Sequence, residues 1–220
     1  MNLGSISKYD IFINPYYFRV IENKENQNSN IYCLIHGWSG NESSMSIFLP
    51  AFQDYKFLVF PRGPIKIGEN EYAWIDVREK IQPNFEDYSL TAKIFLNSYQ
   101  EIVRALLGSE EVGNYNFIGF SQGAAVCAVM SIIFPELFNK IALISGFLPP
   151  NPPTLIPGSL SNNHYYIAHG IRDKMVSFEK AIKLKNYLSE SGATVDFCQE
   201  DLGHKIGKNC LKNLKNFFLS

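Results

Sequence analysis

One short segment carries residue types that could form an enzymatic nucleophile. Residues 119–123 read Gly-Phe-Ser-Gln-Gly, with a short apolar run before them and an apolar run of small residues, 124–133, after them. This G-x-S-x-G pattern is typical of a strand, a sharp turn and a helix, and such a turn pushes the Ser121 hydroxyl away from the sheet. Gly119 and Gly123 lack the side chains that would collide with the turn. Because the pentapeptide also occurs by chance, a catalytic interpretation requires a base, an acid and a site for negative charge elsewhere in the chain.

Two further residues could complete a catalytic triad with Ser121. His204 follows the apolar run 194–198, and Asp173 follows the run 165–168. A serine hydroxyl becomes a good nucleophile when a neutral imidazole takes its proton, and a carboxylate orients that imidazole and stabilises its charged form. Serine, aspartate, histidine is one of the chain orders in which such triads occur. We therefore expect Ser121 to be the nucleophile, Asp173 the acid and His204 the base.

Both partner residues have alternatives. A single surface histidine is most often a solvated side chain, and it is the position of His204 in the chain order that favours a base. Asp196 and Asp201 compete with Asp173 for the role of the acid. Asp196 falls inside a predicted strand, and Asp201 lies only three residues from His204. These positions favour Asp173.

A turn near the nucleophile is predicted at residues 36–40, which read His-Gly-Trp-Ser-Gly and follow another apolar run. The tetrahedral intermediate of acyl transfer requires N–H donors for its negative oxygen. We expect the backbone N–H of Trp38 and that of Gln122, the residue after the nucleophile, to form this oxyanion hole. The other three histidines are interpreted as structural or incidental: His36, which would hold the turn by hydrogen bonds, His164 and His169.

The candidate residues all follow short apolar runs that predict buried strands. Strands are predicted at residues 16–21, 31–35, 57–60, 115–118, 141–146, 165–168 and, at an edge, 194–198. One helix is predicted from Ser43 or Ser44 towards residue 52, and three others at 124–133, 178–188 and 206–218. A further helix that ends at Gly108 is predicted from an apolar stripe formed by Leu90, Ile94, Phe95, Ile102, Val103 and Leu106. Residues 65–87 and 147–158 are predicted to be long loops.

Strands and helices alternate without a break in composition. This alternation predicts one α/β domain over residues 1–220, with a mainly parallel central sheet and helices on both faces. In such sheets ligands bind outside the carboxyl ends of the strands, and the catalytic candidates lie at those ends. The predicted fold therefore brings the candidates to one edge of the sheet.

Composition excludes several classes of protein. With 46% hydrophobic and 19% charged residues and a net charge of −1, the chain is not disordered and has no electrostatic footprint for nucleic acid. No run is long enough for a membrane span, and the first residues lack the apolar core of a signal peptide, which predicts a cytoplasmic protein. The four cysteines are scattered without metal-ligand spacing, so they are expected to be buried free thiols, and no metal is expected.

Several motifs, in order along residues 31–205, resemble the phospholipase/carboxylesterase family of α/β-hydrolases, which includes acyl-protein thioesterases and small bacterial carboxylesterases. They are Leu34-Ile35-His36-Gly37-Trp38-Ser39-Gly40-Asn41-Glu42, Pro61-Arg62-Gly63-Pro64, Tyr72-Ala73-Trp74, Gly119-Phe120-Ser121-Gln122-Gly123-Ala124, His169-Gly170-Ile171-Arg172-Asp173 and Gly203-His204. The resemblance implies hydrolysis of carboxylic esters or thioesters through an acyl-serine intermediate, without metal or organic cofactor.

The resemblance also bears on the substrate. Trp74 and Phe147 would be walls of an acyl pocket, with a packing role equally open for each. Trp38-Ser39 stands where the family commonly has a loop containing glycine, arginine or leucine, so Trp38 is expected to narrow the acyl opening. Lys174 follows Asp173 where the family often has proline.

The expected substrate is a small-molecule or acyl ester. A serine peptidase or acyltransferase with the same triad, and an inactive hydrolase-like binding protein, are alternatives. The two long loops are short for the lid that peptide substrates usually require. The sequence leaves open the acyl-chain length, ester against thioester, the leaving group and the oligomeric state, including a homodimer.

Overall fold

A computed structural model describes residues 6–78, 82–108 and 113–219. The described strands are β1 (Ile6–Ile13), β2 (Tyr16–Asn23), β3 (Ile31–Ile35), β4 (Phe57–Arg62), β5 (Ile65–Lys66), β6 (Tyr72–Ala73), β7 (Tyr115–Phe120), β8 (Phe138–Ile144), β9 (His164–Gly170) and β10 (Thr194–Glu200). The described α-helices are α1 (Phe85–Leu107), α2 (Gln122–Ile133), α3 (Phe178–Glu190) and α4 (Lys208–Leu219), and two 3-10 helices span Ser44–Ala51 and Pro135–Leu137.

The central sheet has eight strands in the order β1-β2-β4-β3-β7-β8-β9-β10. β1 and β2 are antiparallel to their neighbours, and all pairs from β4 to β10 are parallel. The mainly parallel sheet predicted from the sequence is confirmed. Because β3, β7, β9 and β10 run in the same direction, the loops that follow them all leave from one edge of the sheet.

Apolar packing covers the sheet on both faces. On one face the core joins side chains of α1, α2 and α3 to the strands, among them Phe95, Val126 and Leu184. On the other face α4 and the 3-10 helix Ser44–Ala51 contribute Leu214 and Phe48. The predicted arrangement of helices on both faces is therefore confirmed.

Helix α2 lies closest to the sheet. Its residues from Gln122 to Ile132 are all buried, which requires small side chains along its first turns. Ala124 illustrates how close the approach is, because a Cβ on Gly146, two residues after β8, would lie 2.7 Å from the Ala124 Cβ. This tight packing places the start of α2, and the residue before it, firmly above the middle of the sheet.

Several local predictions differ from the structure. β1 was not predicted. The segment after Ser43 is a 3-10 helix without a side-chain cap, and the Ser43 hydroxyl accepts a hydrogen bond from Arg19. Leu90 and Ile94 are 63% and 43% exposed, since the buried face of α1 runs through other positions.

The predicted loop 65–87 is also more structured than expected. It contains the β5–β6 hairpin and the start of α1, and residues 79–81 of it lie outside the described residues. α1 begins with a capping box, in which Asn84 and Asp87 each accept a hydrogen bond from the backbone N–H of the other. None of the helices in the described part of the chain is long and apolar enough to cross a membrane.

The expectation of four free thiols is wrong. Cys198 in β10 and Cys210 in α4 form a disulfide, because the chain turns back between these two elements and brings residues 12 apart in sequence to a Cα–Cα distance of 5.7 Å. Cys33 and Cys127 are free and buried. Desolvation raises the pKa of both of these thiols, so neither is a reactive thiolate at neutral pH.

A buried carboxylate joins the loop after β3 to the antiparallel part of the sheet. Glu42 is 6% exposed and accepts a hydrogen bond from Nε of Arg62 at 2.6 Å, while Nη1 of Arg19 approaches to 3.1 Å. The Arg62 guanidinium lies between the rings of Tyr17 and Tyr72. Desolvation opposes the charge on Glu42, but the bond from Arg62 and the charges of both arginines outweigh it and lower the pKa of Glu42.

We predict that Glu42→Gln lowers the free energy of unfolding at pH 7 by about 2 kcal/mol, because a charge-assisted bond is lost while Arg62 stays half-buried. The folded-state pKa of Glu42 is below its ordinary value of 4.5, so this stabilisation is complete above pH 4.5 and is lost as the pH falls through the folded-state value. Urea unfolding of both proteins at pH 7 and pH 3 measures the difference.

Glu101→Gln is the matched control, because Glu101 lies exposed on α1. Its free energy of unfolding should equal that of the unmodified protein at both pH values. An equally small effect of Glu42→Gln would show that the arginine pair does not stabilise the fold.

Candidate active site

Ser121 occupies a strained turn between β7 and α2. Its backbone angles, φ 53° and ψ −115°, lie in a region that residues with a side chain rarely adopt. The N–H of Ser121 donates to the carbonyl of Ile144 in β8 at 2.9 Å, and its own carbonyl accepts from Ala125 at 3.1 Å. Backbone strain held in place by its surroundings is characteristic of functional positions. The turn projects the side chain beyond the carboxyl edge of the sheet.

The glycines two residues to either side permit close backbone contacts. A Cβ on Gly119 would lie 2.5 Å from the carbonyl oxygen of Gly123. A Cβ on Gly123 would lie 2.3 Å from the carbonyl oxygen of Ile35 and 2.4 Å from that of His36, at the end of β3. All three obstacles are backbone atoms that cannot move aside. Glycine is therefore required at both positions for the turn to sit against β3.

Asp173 lies in the turn that follows β9 and is buried. Its Oδ1 accepts backbone hydrogen bonds from Met175 at 2.8 Å and Val176 at 3.0 Å, and its Oδ2 lies 2.7 Å from Nδ1 of His204. Desolvation disfavours its charge, but the bonds from Val176, His204 and Met175 outweigh this effect and lower the pKa of Asp173. Asp173 is therefore an ionised carboxylate at neutral pH.

His204 lies on the short connection between β10 and α4. Because a carboxylate only accepts, the 2.7 Å contact places the proton of the ring on Nδ1, and Nε2 carries the lone pair. The imidazole centroid is 5.0 Å from the ring of Phe120, the residue before Ser121. The loops that carry His204 and Asp173 touch, since the N–H of Arg172 donates to the carbonyl of Leu202 at 2.9 Å.

Ser121 and His204 line one cavity of about 720 Å³. Trp38 and Gln122 also line it, so the two residues expected to supply oxyanion donors are at the same place as the expected nucleophile and base. Apolar side chains form most of its wall: Met45, Phe48, Val77, Tyr88, Phe147 and Val176. Ile47 and Met175 line its mouth and are 58% and 76% exposed.

His36 holds the turn that carries Trp38. Its Nε2 accepts the N–H of Gly63 at 2.9 Å, and its Nδ1 lies 2.7 Å from the carbonyl of Gly37. Burial lowers the pKa of His36 to about 4, so the ring is neutral at pH 7. The indole Nε1 of Trp74 donates to the carbonyl of His36 at 2.8 Å. These bonds join the turn to the segments after β4 and β6.

The side chain of Gln122 has a role that the sequence did not reveal. Its Oε1 accepts the N–H of Trp74 at 2.9 Å and its Nε2 donates to the carbonyl of Ile75 at 2.9 Å. Gln122 therefore anchors the segment after β6 while its own backbone N–H lies at the start of α2. Only the tertiary structure brings residues 47 and 48 positions apart into this contact.

Trp74 does not line the cavity in the described structure. Its side chain is 1% exposed and packs on Tyr16 and Phe95, so it supports the core beneath the site, and its interpretation as an acyl-pocket wall is replaced by the packing alternative. Phe147 does line the cavity and meets Tyr88 edge to face at 6.0 Å. Tyr88 was missed because it lies at the margin of the predicted loop, where no periodic pattern distinguishes it.

The two remaining histidines lie at opposite ends of β9. His164 is partly exposed and bonds to Asp196 at 3.0 Å, away from the cavity. His169 is buried with its Nε2 3.4 Å from Oδ2 of Asp173. Among the residues that the structure describes, no group of three or more histidine, cysteine, aspartate or glutamate side chains is placed to hold a metal ion.

A mainly parallel sheet with a serine on a strained strand-to-helix turn, and a His–Asp pair on the loops after β9 and β10, defines an α/β-hydrolase. The family model described as Phospholipase/Carboxylesterase matches residues 17–219. The chain belongs to this family and is a carboxylesterase-type α/β-hydrolase.

Individual relatives are likewise named as probable carboxylesterases. A probable carboxylesterase SOBER1-like protein of Arabidopsis thaliana is 26% identical over 218 residues, which cover 90% of this chain and 80% of the relative. A probable carboxylesterase of Oryza sativa subsp. japonica, Os04g0669500, is 24% identical over 205 residues, which cover 87% and 77%.

Solved structures show the same fold at lower identity. A carboxylesterase from Mesorhizobium loti superimposes with a TM-score of 0.82 at 17% identity, covering 97% of this chain and 99% of that one. SOBER1 of Arabidopsis thaliana superimposes with a TM-score of 0.69 at 21% identity, covering 87% and 98%.

We predict that Gly123→Ala displaces the turn that carries Ser121 and reduces esterase activity by at least about a hundredfold, because misplacing a reacting group by about 1 Å has effects of this size. The added methyl group would press on two backbone carbonyls of the β3 end. Turnover of p-nitrophenyl acetate, with circular dichroism to follow folding, measures the effect.

Gly203→Ala is the matched control, because apart from its chain neighbours a Cβ there would come no closer than 3.9 Å to another residue. Gly203→Ala should retain its fold and most of its activity. Full activity of Gly123→Ala would contradict the close contact between the turn and β3.

Proposed function

We propose that this protein is a serine hydrolase that cleaves carboxylic esters through an acyl-serine intermediate, with Ser121 as nucleophile, His204 as base and Asp173 as acid. The observation that carries the proposal is the 2.7 Å pairing of His204 with the ionised Asp173 beside an apolar cavity that Ser121 also lines. Such an arrangement activates a hydroxyl and leaves room for an acyl group next to it.

In the first step Nε2 of His204 takes the proton of the Ser121 hydroxyl as Oγ attacks the ester carbonyl carbon. The Oγ–C bond forms, and the carbonyl π electrons move to its oxygen. The imidazole becomes a cation, which the charge of Asp173 stabilises at 2.7 Å. Because Asp173 is held by the backbone N–H groups of Met175 and Val176, it keeps Nδ1 of His204 protonated and the ring oriented.

The negative oxygen of this intermediate requires donors that are in place before the reaction. The backbone N–H of Gln122 lies at the start of α2, where the helix dipole also favours negative charge. The backbone N–H of Trp38 belongs to the turn held by His36, which lines the same cavity. We assign both groups to the oxyanion hole.

The intermediate collapses when the bond from carbon to the leaving oxygen breaks. His204 gives its proton to that oxygen, the alcohol departs, and the acyl group stays on Ser121. Water then repeats the sequence: Nε2 takes a proton from water as the new C–O bond forms, and His204 gives this proton to Oγ as the C–Oγ bond breaks and the acid is released. A thioester fits the same steps with sulfur as the leaving atom, and we include thioesters in the substrate class.

We predict that Ser121→Ala reduces p-nitrophenyl acetate or butyrate turnover by at least about a thousandfold without unfolding the protein. His204→Ala and Asp173→Asn should each lose at least about a hundredfold, and combining either with Ser121→Ala should add little, because the three residues act as a unit. A fluorophosphonate probe should label Ser121 in the unmodified protein.

The matched control is Ser161→Ala, at an exposed serine before β9. It should turn over substrate at the unmodified rate. Undiminished turnover by Ser121→Ala would eliminate Ser121 as the nucleophile, and failure of the probe to label it would favour an inactive binding protein.

We predict that kcat/KM for p-nitrophenyl esters rises with acyl length until the cavity is filled, by about fourfold for each buried methylene at about 0.8 kcal/mol. Phe147→Ala should reduce kcat/KM for butyrate and longer esters more than for acetate, because it removes a cavity wall. A palmitoyl thioester measured beside the series tests the sulfur leaving group.

Phe12→Ala is the control for the loss of a phenyl ring, because Phe12 is 67% exposed on β1 and does not line the cavity. It should leave the profile of chain length unchanged. A profile that is flat with acyl length, and equal for Phe147→Ala, would contradict the use of this cavity for the acyl group.

A further inference from the structure

A second histidine lies buried behind the carboxylate of Asp173. His169 is the second-to-last residue of β9, four residues before Asp173, and its side chain is entirely buried. The mechanism above makes no use of it. A polar side chain that is buried away from water destabilises the fold unless it forms hydrogen bonds. The buried imidazole of His169 therefore requires an explanation.

The contacts of His169 determine which of its nitrogens donates. Nε2 lies 2.8 Å from the carbonyl oxygen of Val176 and 3.4 Å from Oδ2 of Asp173. Because a carbonyl oxygen only accepts, Nε2 carries the proton of the ring. Nδ1 is buried and has no hydrogen-bond partner within the described structure. The principal polar function of this ring is therefore its N–H to the Val176 carbonyl.

Both backbone polar groups of Val176, its N–H and its carbonyl, are hydrogen-bonded. Its N–H donates to Oδ1 of Asp173 at 3.0 Å, and its carbonyl accepts from His169 at 2.8 Å. The Val176 side chain also lines the catalytic cavity. The backbone from β9 to Val176 thus forms a closed loop of hydrogen bonds around the Asp173 carboxylate. The bond from His169 to Val176 completes this loop on the side that faces the core.

We propose that His169 is a positioning residue for Asp173, which acts by holding the carbonyl of Val176 so that the N–H of Val176 stays directed at Oδ1. This inference rests on the proposed function, in which Asp173 orients His204. Without the bond from His169 the Val176 backbone can rotate, Oδ1 loses a donor, and the carboxylate turns away from Nδ1 of His204. The chemical step is then slowed, while the serine and the oxyanion donors are unchanged.

A packing role for His169 would have a different consequence. The ring also contacts Phe178 edge to face at 6.2 Å, so removing it disturbs the core whatever else it does. Loss of packing lowers the stability of the protein and affects every reaction of the site alike. Loss of positioning affects only the part of catalysis that passes through Asp173, and a double-mutant cycle separates the two.

The experiment compares His169→Gln with His169→Asn, each alone and combined with Asp173→Asn. The amide nitrogen of glutamine reaches about as far as Nε2 of histidine and can donate to the Val176 carbonyl. That of asparagine reaches only about as far as Nδ1. The two variants bury the same polar group and differ in whether it reaches Val176. The measurements are kcat and KM for p-nitrophenyl butyrate and the midpoint of thermal unfolding.

If His169 positions Asp173, His169→Asn reduces kcat by about ten- to a hundredfold with a smaller change in KM, a size expected for misplaced catalytic groups. His169→Gln recovers at least half of the lost activity on a logarithmic scale. In the Asp173→Asn background both variants change kcat by less than about twofold. His164→Gln, at the other end of the same strand, is the control and should leave kcat unchanged.

The proposal is overturned if His169→Asn reduces kcat by the same factor in both backgrounds, or if glutamine and asparagine have equal effects in folded proteins. Should His169→Asn fail to fold, His169→Leu replaces it, since leucine fills the core without a donor. The Ser121→Ala variant tests the proposed function independently of His169. Loss of turnover there together with additive His169 effects would reject the positioning role and leave the proposed function intact.

Discussion

The close contact between the turn at Ser121 and the end of β3 is the constraint on which the rest of the site depends. Gly123 lies so near the carbonyls of Ile35 and His36 that no side chain fits between them. This contact sets the height of α2 above the sheet and brings the N–H of Gln122 beside the turn that carries Trp38. The N–H of Ser121 is also tied to β8, so the strained residue is held from both neighbouring strands.

Around this contact the polar groups form a connected frame. His36 bonds to the segment after β4, Trp74 bonds to the carbonyl of His36, and Gln122 bonds to the backbone of Trp74 and Ile75. The two expected oxyanion donors are therefore carried by segments that hold each other in place. Fixed donors of this kind need no reorganisation when charge develops on the substrate. On the other side of Ser121, Asp173 is held by two backbone N–H groups of its own turn.

Much of the fold and of the candidate site could be predicted from local pattern. β3 is a continuous apolar run and Gly108 ends α1 in a left-handed conformation, as its residue type predicts. Predictions that required distant neighbours were wrong or missing. The Cys198–Cys210 disulfide depends on how α4 folds back on β10, and Trp74 is a core residue because Tyr16 and Phe95 surround it.

What the sequence alone determined is the class of chemistry. The spacing of Gly119 and Gly123 and the apolar runs before the candidate residues follow from local steric requirements, which the residue types reflect directly. What only the tertiary structure decided is which groups meet. The cavity wall at Tyr88, the anchoring bonds of Gln122 and the buried position of His169 behind the carboxylate all join segments far apart in the chain or on different elements. Such contacts depend on the packing of the whole sheet, and no local sequence pattern predicts them.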